Sequence, residues 1–287
     1  MHSAIETMLK RYNCQTPTDY KNALKEIMQE IVLLGLSRQK FFQEAAFYGG
    51  TALRIAHGLG RFSEDLDFTL DKPNSKFDIS IYLKGIEEEF KAYNLNLIAE
   101  KKQKINDTDI DSAFLKANTL EHLLTIEGVN SPWSGTNKND LIKIKLEIDT
   151  NPPFPSGRSE ILNLLEPIPF SYRILTLPSL FGGKLHAIIC REYKGERIKG
   201  RDYYDFIWYI TKKVKPDFDY LKGKLCESGV WDNEADFNLD DLKGLLTKRF
   251  ESIDWIKAKQ DVAPFIKDGR ELEIWSAKFF ISLMEKF

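Results

Sequence analysis

The stretch "FYGGTALRIAHGLGRFSEDLDFTLDKP", residues 47–73, constrains the fold more than any other part of the chain. An apolar run, "AAFY", reads as a short buried strand that ends at the Gly49-Gly50 turn. "TALRIAHGL" then carries the apolar spacing of a short helix opening at Thr51. "DLDFTL" follows with strict alternation. Asp65, Asp67 and Thr69 therefore share one face of a strand, and Leu66, Phe68 and Leu70 the other.

Two aspartates so spaced lie roughly 6.5–7 Å apart along the strand, from a rise of ~3.3 Å per residue. Like charges on one face repel unless a cation joins them. A hard divalent ion such as Mg²⁺ accepts carboxylate oxygens and keeps positions open for phosphates. By itself Asp-x-Asp is equally the pattern of a turn cap or a water-facing strand. A third acid on a second strand changes its meaning. "DLIKIKLEIDT" is the clearest alternating strand in the chain, with Ile142, Ile144, Leu146 and Ile148 on one side and Lys143, Lys145, Glu147 and Asp149 on the other. A sheet that sets Glu147 or Asp149 beside Asp65 and Asp67 makes the carboxylate nest used in two-metal phosphoryl transfer. The Gly49-Gly50-Thr51 turn adds backbone that can approach a ligand closely, at a helix N-terminus suited to phosphate.

The remaining chain divides by pattern. Residues 1–46 are expected to be helical, with Leu24, Ile27, Ile31 and Leu34 at helical steps and Thr18 as an imperfect cap. "KFDISIYLKGIEEEFKAYNL" resumes a helical period, and "NLNLIAEKKQKI" and "LEHLLTIEGV" read as strands or their flanks. "TNPPFPSG" cannot continue a strand and marks a boundary or loop. Residues 178–287 read as mostly helical. The fold class is α+β, with N-terminal helices and a core sheet over 1–175 and a helical C-terminal domain over 176–287 closing the active site.

Charge and cysteine usage narrow the setting. A formal net charge of −2 gives no global attraction to nucleic acid or membrane, so an RNA contact requires a local basic patch. The stretch "CREYKGERIKGRDYY" supplies one, with arginines and lysines to meet phosphates and tyrosines to stack on bases. The same run is equally a solvated loop. Cys14, Cys190 and Cys226 stand far apart and suggest neither a disulfide framework nor a zinc site. With no signal-peptide pattern and no membrane-length apolar run, a cytoplasmic protein without a membrane partner is expected.

"GGTALRIAHGLGRFSEDLDFTL" resembles the signature of the AbiEii/AbiGii toxin family of nucleotidyltransferases, in the DNA polymerase β-like superfamily and similar to MenT-type toxins. Weaker agreement runs through "KLEID", "LPSLFGGKLHAII" and "RDYYDF". The resemblance implies a small mixed sheet flanked by helices, with a mainly helical C-terminal region. It implies that Gly49, Gly50 and Thr51 hold a triphosphate, and that Asp65, Asp67 and Glu147 bind Mg²⁺, or Mn²⁺ in its place. It places a phosphate-neutralising lysine at Lys184 and an Arg-Asp pair at Arg201 and Asp202, with Asp202 orienting Lys184 or the acceptor hydroxyl. Arg61, a guanidinium just before the Asp-x-Asp strand, is a further phosphate candidate beside Ser63.

The residues alone also admit plainer roles. Lys184 reads equally as a lysine snorkelling from an apolar helix, and Arg201 with Asp205 as a helical ion pair. His57 and His186 sit in apolar patterns and are assigned to packing or surface. The expected activity is transfer of a nucleoside monophosphate from an NTP to an acceptor, with the tRNA 3′ end foremost and a cognate antitoxin as partner. A protein side chain as acceptor, or a non-catalytic nucleotide-binding module, are the competing expectations.

Overall fold

The computed structural model describes residues 2–101, 119–127, 142–191, 198–232, 234–266 and 268–287. The chain forms two compact units. Unit 1 comprises Met1–Ala52, Ser63–Pro152 and Glu160–Ile174; unit 2 comprises Leu53–Phe62, Pro153–Ser159 and Leu175–Phe287.

Unit 1 opens with α1 (Ser3–Lys10) and α2 (Pro17–Arg38). The cap of α2 is Thr16 rather than Thr18. Its hydroxyl accepts from the Asp19 N–H at 3.1 Å, and the Asp19 carboxylate accepts from the Thr16 N–H at 3.0 Å. Pro17 at the first helical position, with φ already fixed, places the start there. α2 is buried continuously from Glu26 to Leu36, enclosed by α4 (Ser80–Ala92), α1 and the sheet. Gly35 allows that approach: a Cβ there would meet the Ile86 Cα at 2.8 Å.

The sheet of unit 1 comprises β1 (Ala45–Tyr48), β2 (Asp65–Leu70), β3 (Asn96–Lys101), β4 (Thr119–Glu127), β5 (Ile142–Asp149), β6 (Ser159–Leu164) and β7 (Phe170–Leu175), in the order β3-β4-β5-β2-β1-β7-β6. β1 is antiparallel to β2 and parallel to β7, while β2 is parallel to β5. The strands expected from sequence are present among the described residues, while 102–105 and 128–129 of the expected stretches lie outside them. β6 and β7 are additional, formed in a segment whose prolines obscure its alternation. β7 itself alternates, burying Phe170, Tyr172 and Ile174. Leu66, Phe68, Ile144, Leu146 and Ile148 line the core side of the central strands, where Phe68 meets Phe41 edge-on at 5.0 Å and lies tilted against Phe47 at 5.3 Å.

Unit 2 is built from α5 (Leu177–Cys190), α6 (Gly200–Thr211), α7 (Phe218–Glu227), α8 (Leu239–Glu251), α9 (Trp255–Val262) and α10 (Ala277–Leu283). Its core is aromatic: Phe181 stacks on Tyr209 at 4.4 Å and Trp255 on Phe280 at 4.5 Å, and Phe206 and Phe250 lie 5.4 Å apart. Asp217, Asn238, Asp254 and Ser276 cap four of these helices through their side chains. The helix α3 (Gly49–His57) begins in unit 1 and continues into unit 2. Among the described residues, no helix is long and apolar enough to cross a membrane.

Candidate active site

The turn and the Asp-x-Asp strand meet inside unit 1. Antiparallel pairing sets Tyr48 opposite Asp67, so the chain turns at Gly49 at the level of that carboxylate. Gly49 has φ +83°, a left-handed conformation that side chains resist. A Cβ there would overlap the Asp67 carboxylate and come 2.9 Å from its Cγ. Two independent reasons therefore require glycine. α3 starts at Gly49, two residues before the expected Thr51. Thr51 is fully buried and its hydroxyl donates to the Asp65 carbonyl, tying the first turn of α3 to the first residue of β2.

Parallel pairing of β2 with β5 places Asp65 opposite Lys145, Asp67 opposite Glu147 and Thr69 opposite Asp149. Alternation gives Asp65, Asp67, Lys145, Glu147 and Asp149 one half-buried face, opposite the apolar core face. The sheet thus sets Glu147 in register with Asp67. The sequence pattern left Lys145 without a role. It ion-pairs with Glu147 two residues along the same face, a contact that alternation makes available to any Lys-x-Glu on a strand.

The donor set fits a hard divalent ion: carboxylate oxygens on adjoining strands, and a glycine turn that leaves room for one of them. Among the described residues, no three His, Cys, Asp or Glu side chains form a ready-made metal cage. Glu147 is instead engaged by Lys145.

Lys184, Arg201, Asp202 and Arg61 belong to unit 2. Lys184, on α5, bonds Asp202 at 2.7 Å and Asp205 at 2.8 Å, both on α6. Arg61 grips Asp205 with a two-pronged fork at 2.7 and 2.6 Å, and Arg191 reaches Asp202 at 2.5 Å. Burial alone would raise the Asp202 pKa, but Arg191 and Lys184 outweigh it and hold the carboxyl well below its usual range. Burial likewise opposes the charge on Lys184, and Asp202 and Asp205 overcome it, so its pKa is raised. The group is an interlocked network of ionised side chains.

Several expectations change here. Arg61 is 2% exposed and holds both carboxylate oxygens of Asp205. Arg201 does not pair with Asp205. Its guanidinium lies over the Phe265 ring at 4.3 Å, with Asp261 at 3.7 Å, because Asp205 is already held by Arg61 and Lys184. Tyr203, offered as a base-stacking residue, is fully buried against Trp255 and Phe280. Residues 192–197 of the basic stretch lie outside the described residues. His186 faces the Ser228 hydroxyl at 2.6 Å. Burial, with Lys224 and Arg191 nearby, pushes its pKa down to about 3, so it is a neutral packing residue. His57 ends α3.

The mixed sheet therefore brings the glycine turn, the Asp-x-Asp strand and an in-register glutamate together in unit 1. The family model described as nucleotidyl transferase AbiEii toxin, type IV TA system, matches residues 31–280, and the chain belongs to that family. It is accordingly a toxin-type nucleotidyltransferase, and the family implies an NTP substrate and a cognate antitoxin. No curated protein matches the chain. Among solved structures it is similar to a candidate nucleotidyltransferase from H. pylori, with 21% identity, TM-score 0.48 and coverage of 91% of this chain and 92% of that one. It is also similar to JHP933 from Helicobacter pylori, with 20% identity, TM-score 0.49 and coverage of 92% and 90%.

Proposed function

We propose that the chain moves a nucleoside monophosphate from an NTP to an RNA hydroxyl, with the 3′ end of tRNA as acceptor, and that Asp65, Asp67 and Glu147 are ligands of Mg²⁺. The observation that supports this most is the seating of the Asp67 carboxylate in the space left by Gly49, with Glu147 in register on β5. Bound there, Mg²⁺ would neutralise triphosphate charge and favour the ionised acceptor hydroxyl.

The chain's own residues supply position. The first turn of α3 offers backbone N–H groups to phosphate, and the Thr51 tie holds that turn against the strand of Asp65 and Asp67. The acceptor oxygen forms a bond to the α-phosphorus, and the bond from that phosphorus to the bridging oxygen of the β-phosphate breaks. Pyrophosphate leaves, and the hydroxyl proton passes to a site carboxylate or to water. Most of the rate comes from orientation and electrostatics, as in phosphoryl transfer generally. Lys184 as a phosphate-binding cation, oriented by Asp202, follows from the family pattern, and the 2.7 Å bond between the two supports the orienting part.

The test is incubation of the protein with Mg²⁺, each α-³²P-labelled NTP and total tRNA, beside Asp67→Ala. Label on RNA that disappears in the variant supports the proposal and identifies the nucleotide. Label on protein instead assigns a side-chain acceptor, and NTP binding without transfer to either assigns a binding module.

A further inference from the structure

The carboxylate face of unit 1 holds its own cation. Lys145 and Glu147 are two residues apart on β5, on the face shared with Asp65 and Asp67, and their side chains are in ion-pair contact. The pair is only partly open to water, with side-chain exposures of 28% and 27%, so solvent and salt screen it incompletely. Lys145 also stands directly opposite Asp65 across the parallel pairing, which sets its positive charge among the carboxylates.

We propose that Lys145 is a resident counter-cation of this face, and that a divalent ion must displace it from Glu147 to complete the site. The inference rests on Asp65, Asp67 and Glu147 being the ion's ligands. An ammonium held against one Glu147 oxygen and a hard cation coordinating the same carboxylate compete for its negative charge, and two positive charges at such range repel. Lys145 therefore stabilises the clustered acids in the ion-free protein and weakens ion binding. No covalent step is involved; one electrostatic partner replaces another.

The test is Mn²⁺ binding to the full chain without nucleotide, read from the free-ion paramagnetic resonance signal, for the parent, Lys145→Gln, Lys145→Arg and Asp67→Asn. Removing one positive charge beside the ion is expected to tighten Mn²⁺ binding in Lys145→Gln on the order of tenfold. Lys145→Arg keeps the charge and should bind like the parent. Lys145→Met replaces the Gln variant if the latter lacks a cooperative thermal transition. Equal or weaker Mn²⁺ binding in the uncharged variant overturns the counter-cation inference. Asp67→Asn reports separately on the premise: if it binds Mn²⁺ as the parent does, these carboxylates are not the ligands, and both statements fall.

Discussion

Gly49 and Asp67 are matched: the missing Cβ of one is the space occupied by the carboxylate of the other. With φ at +83°, residue 49 would be strained by any side chain even if the carboxylate moved aside. We predict that Gly49→Ala costs about 1–2 kcal/mol of stability from the backbone alone. Transfer activity should fall by more than that loss of folded protein explains, because Asp67 must also shift. Urea denaturation beside the labelled-NTP assay separates the two effects.

Thr51 makes a simpler prediction. Its hydroxyl is buried and donates to the Asp65 carbonyl, so Thr51→Val should destabilise by about 1–3 kcal/mol by leaving that carbonyl short of a donor. Thr51→Ser keeps the donor and should retain most activity. Equal activity in the two variants would show that the tie does not position the turn.

In unit 2, Arg61→Ala leaves Asp205 fully buried without its fork. The expected loss is about 1.5–3 kcal/mol, because the fork's hydrogen bonds to a charged group are lost while Lys184 still neutralises Asp205. Replacing both partners by apolar residues, Arg61→Met with Asp205→Leu, should cost less than the sum of the two single changes. A double-mutant cycle in thermal or urea unfolding measures the coupling.

His186 gives a pH dependence of definite sign. Its pKa falls to about 3 in the folded chain, against 6.5 ordinarily. Above the ordinary value both states are neutral and stability is complete. As pH falls through the window between those values, the unfolded chain takes up a proton that the folded chain refuses, and stability is lost. We predict that His186→Gln loses less stability than the parent between pH 7.5 and pH 5. Unfolding midpoints at the two values check this, and parallel losses would contradict it.

How much of this was legible beforehand depends on what a single strand or helix can encode. Alternation in "DLDFTL" and "IKIKLEID" placed Asp65, Asp67, Glu147 and Lys145 on polar faces, because a period of two needs no partner to be read. The register that sets Asp67 opposite Glu147 depends on β2 meeting β5 across more than seventy residues of chain, and no local pattern carries it. The Arg61–Asp205 pair was hidden for the same reason. Its two members lie 144 residues apart, and an arginine beside an Asp-x-Asp motif looks locally like a phosphate ligand. Tyr203 was misjudged because a tyrosine in a basic stretch shows nothing of the aromatic core it enters from α6. The cap at Thr16 could have been found, since Thr-Pro-Thr-Asp contains both the capping residue and the reciprocal acid at the right spacing.

The central claim is that Asp65, Asp67 and Glu147 carry the transfer chemistry. The most direct measurement compares label transfer from α-³²P-NTP to tRNA by the parent, Asp67→Asn and Glu147→Gln, with unfolding midpoints confirming that all three are folded. Transfer by the parent and at least a hundredfold loss in each variant are expected, on the order of the ~2.7 kcal/mol or more that such electrostatic groups contribute. Transfer by folded Asp67→Asn at the parent's rate would contradict it.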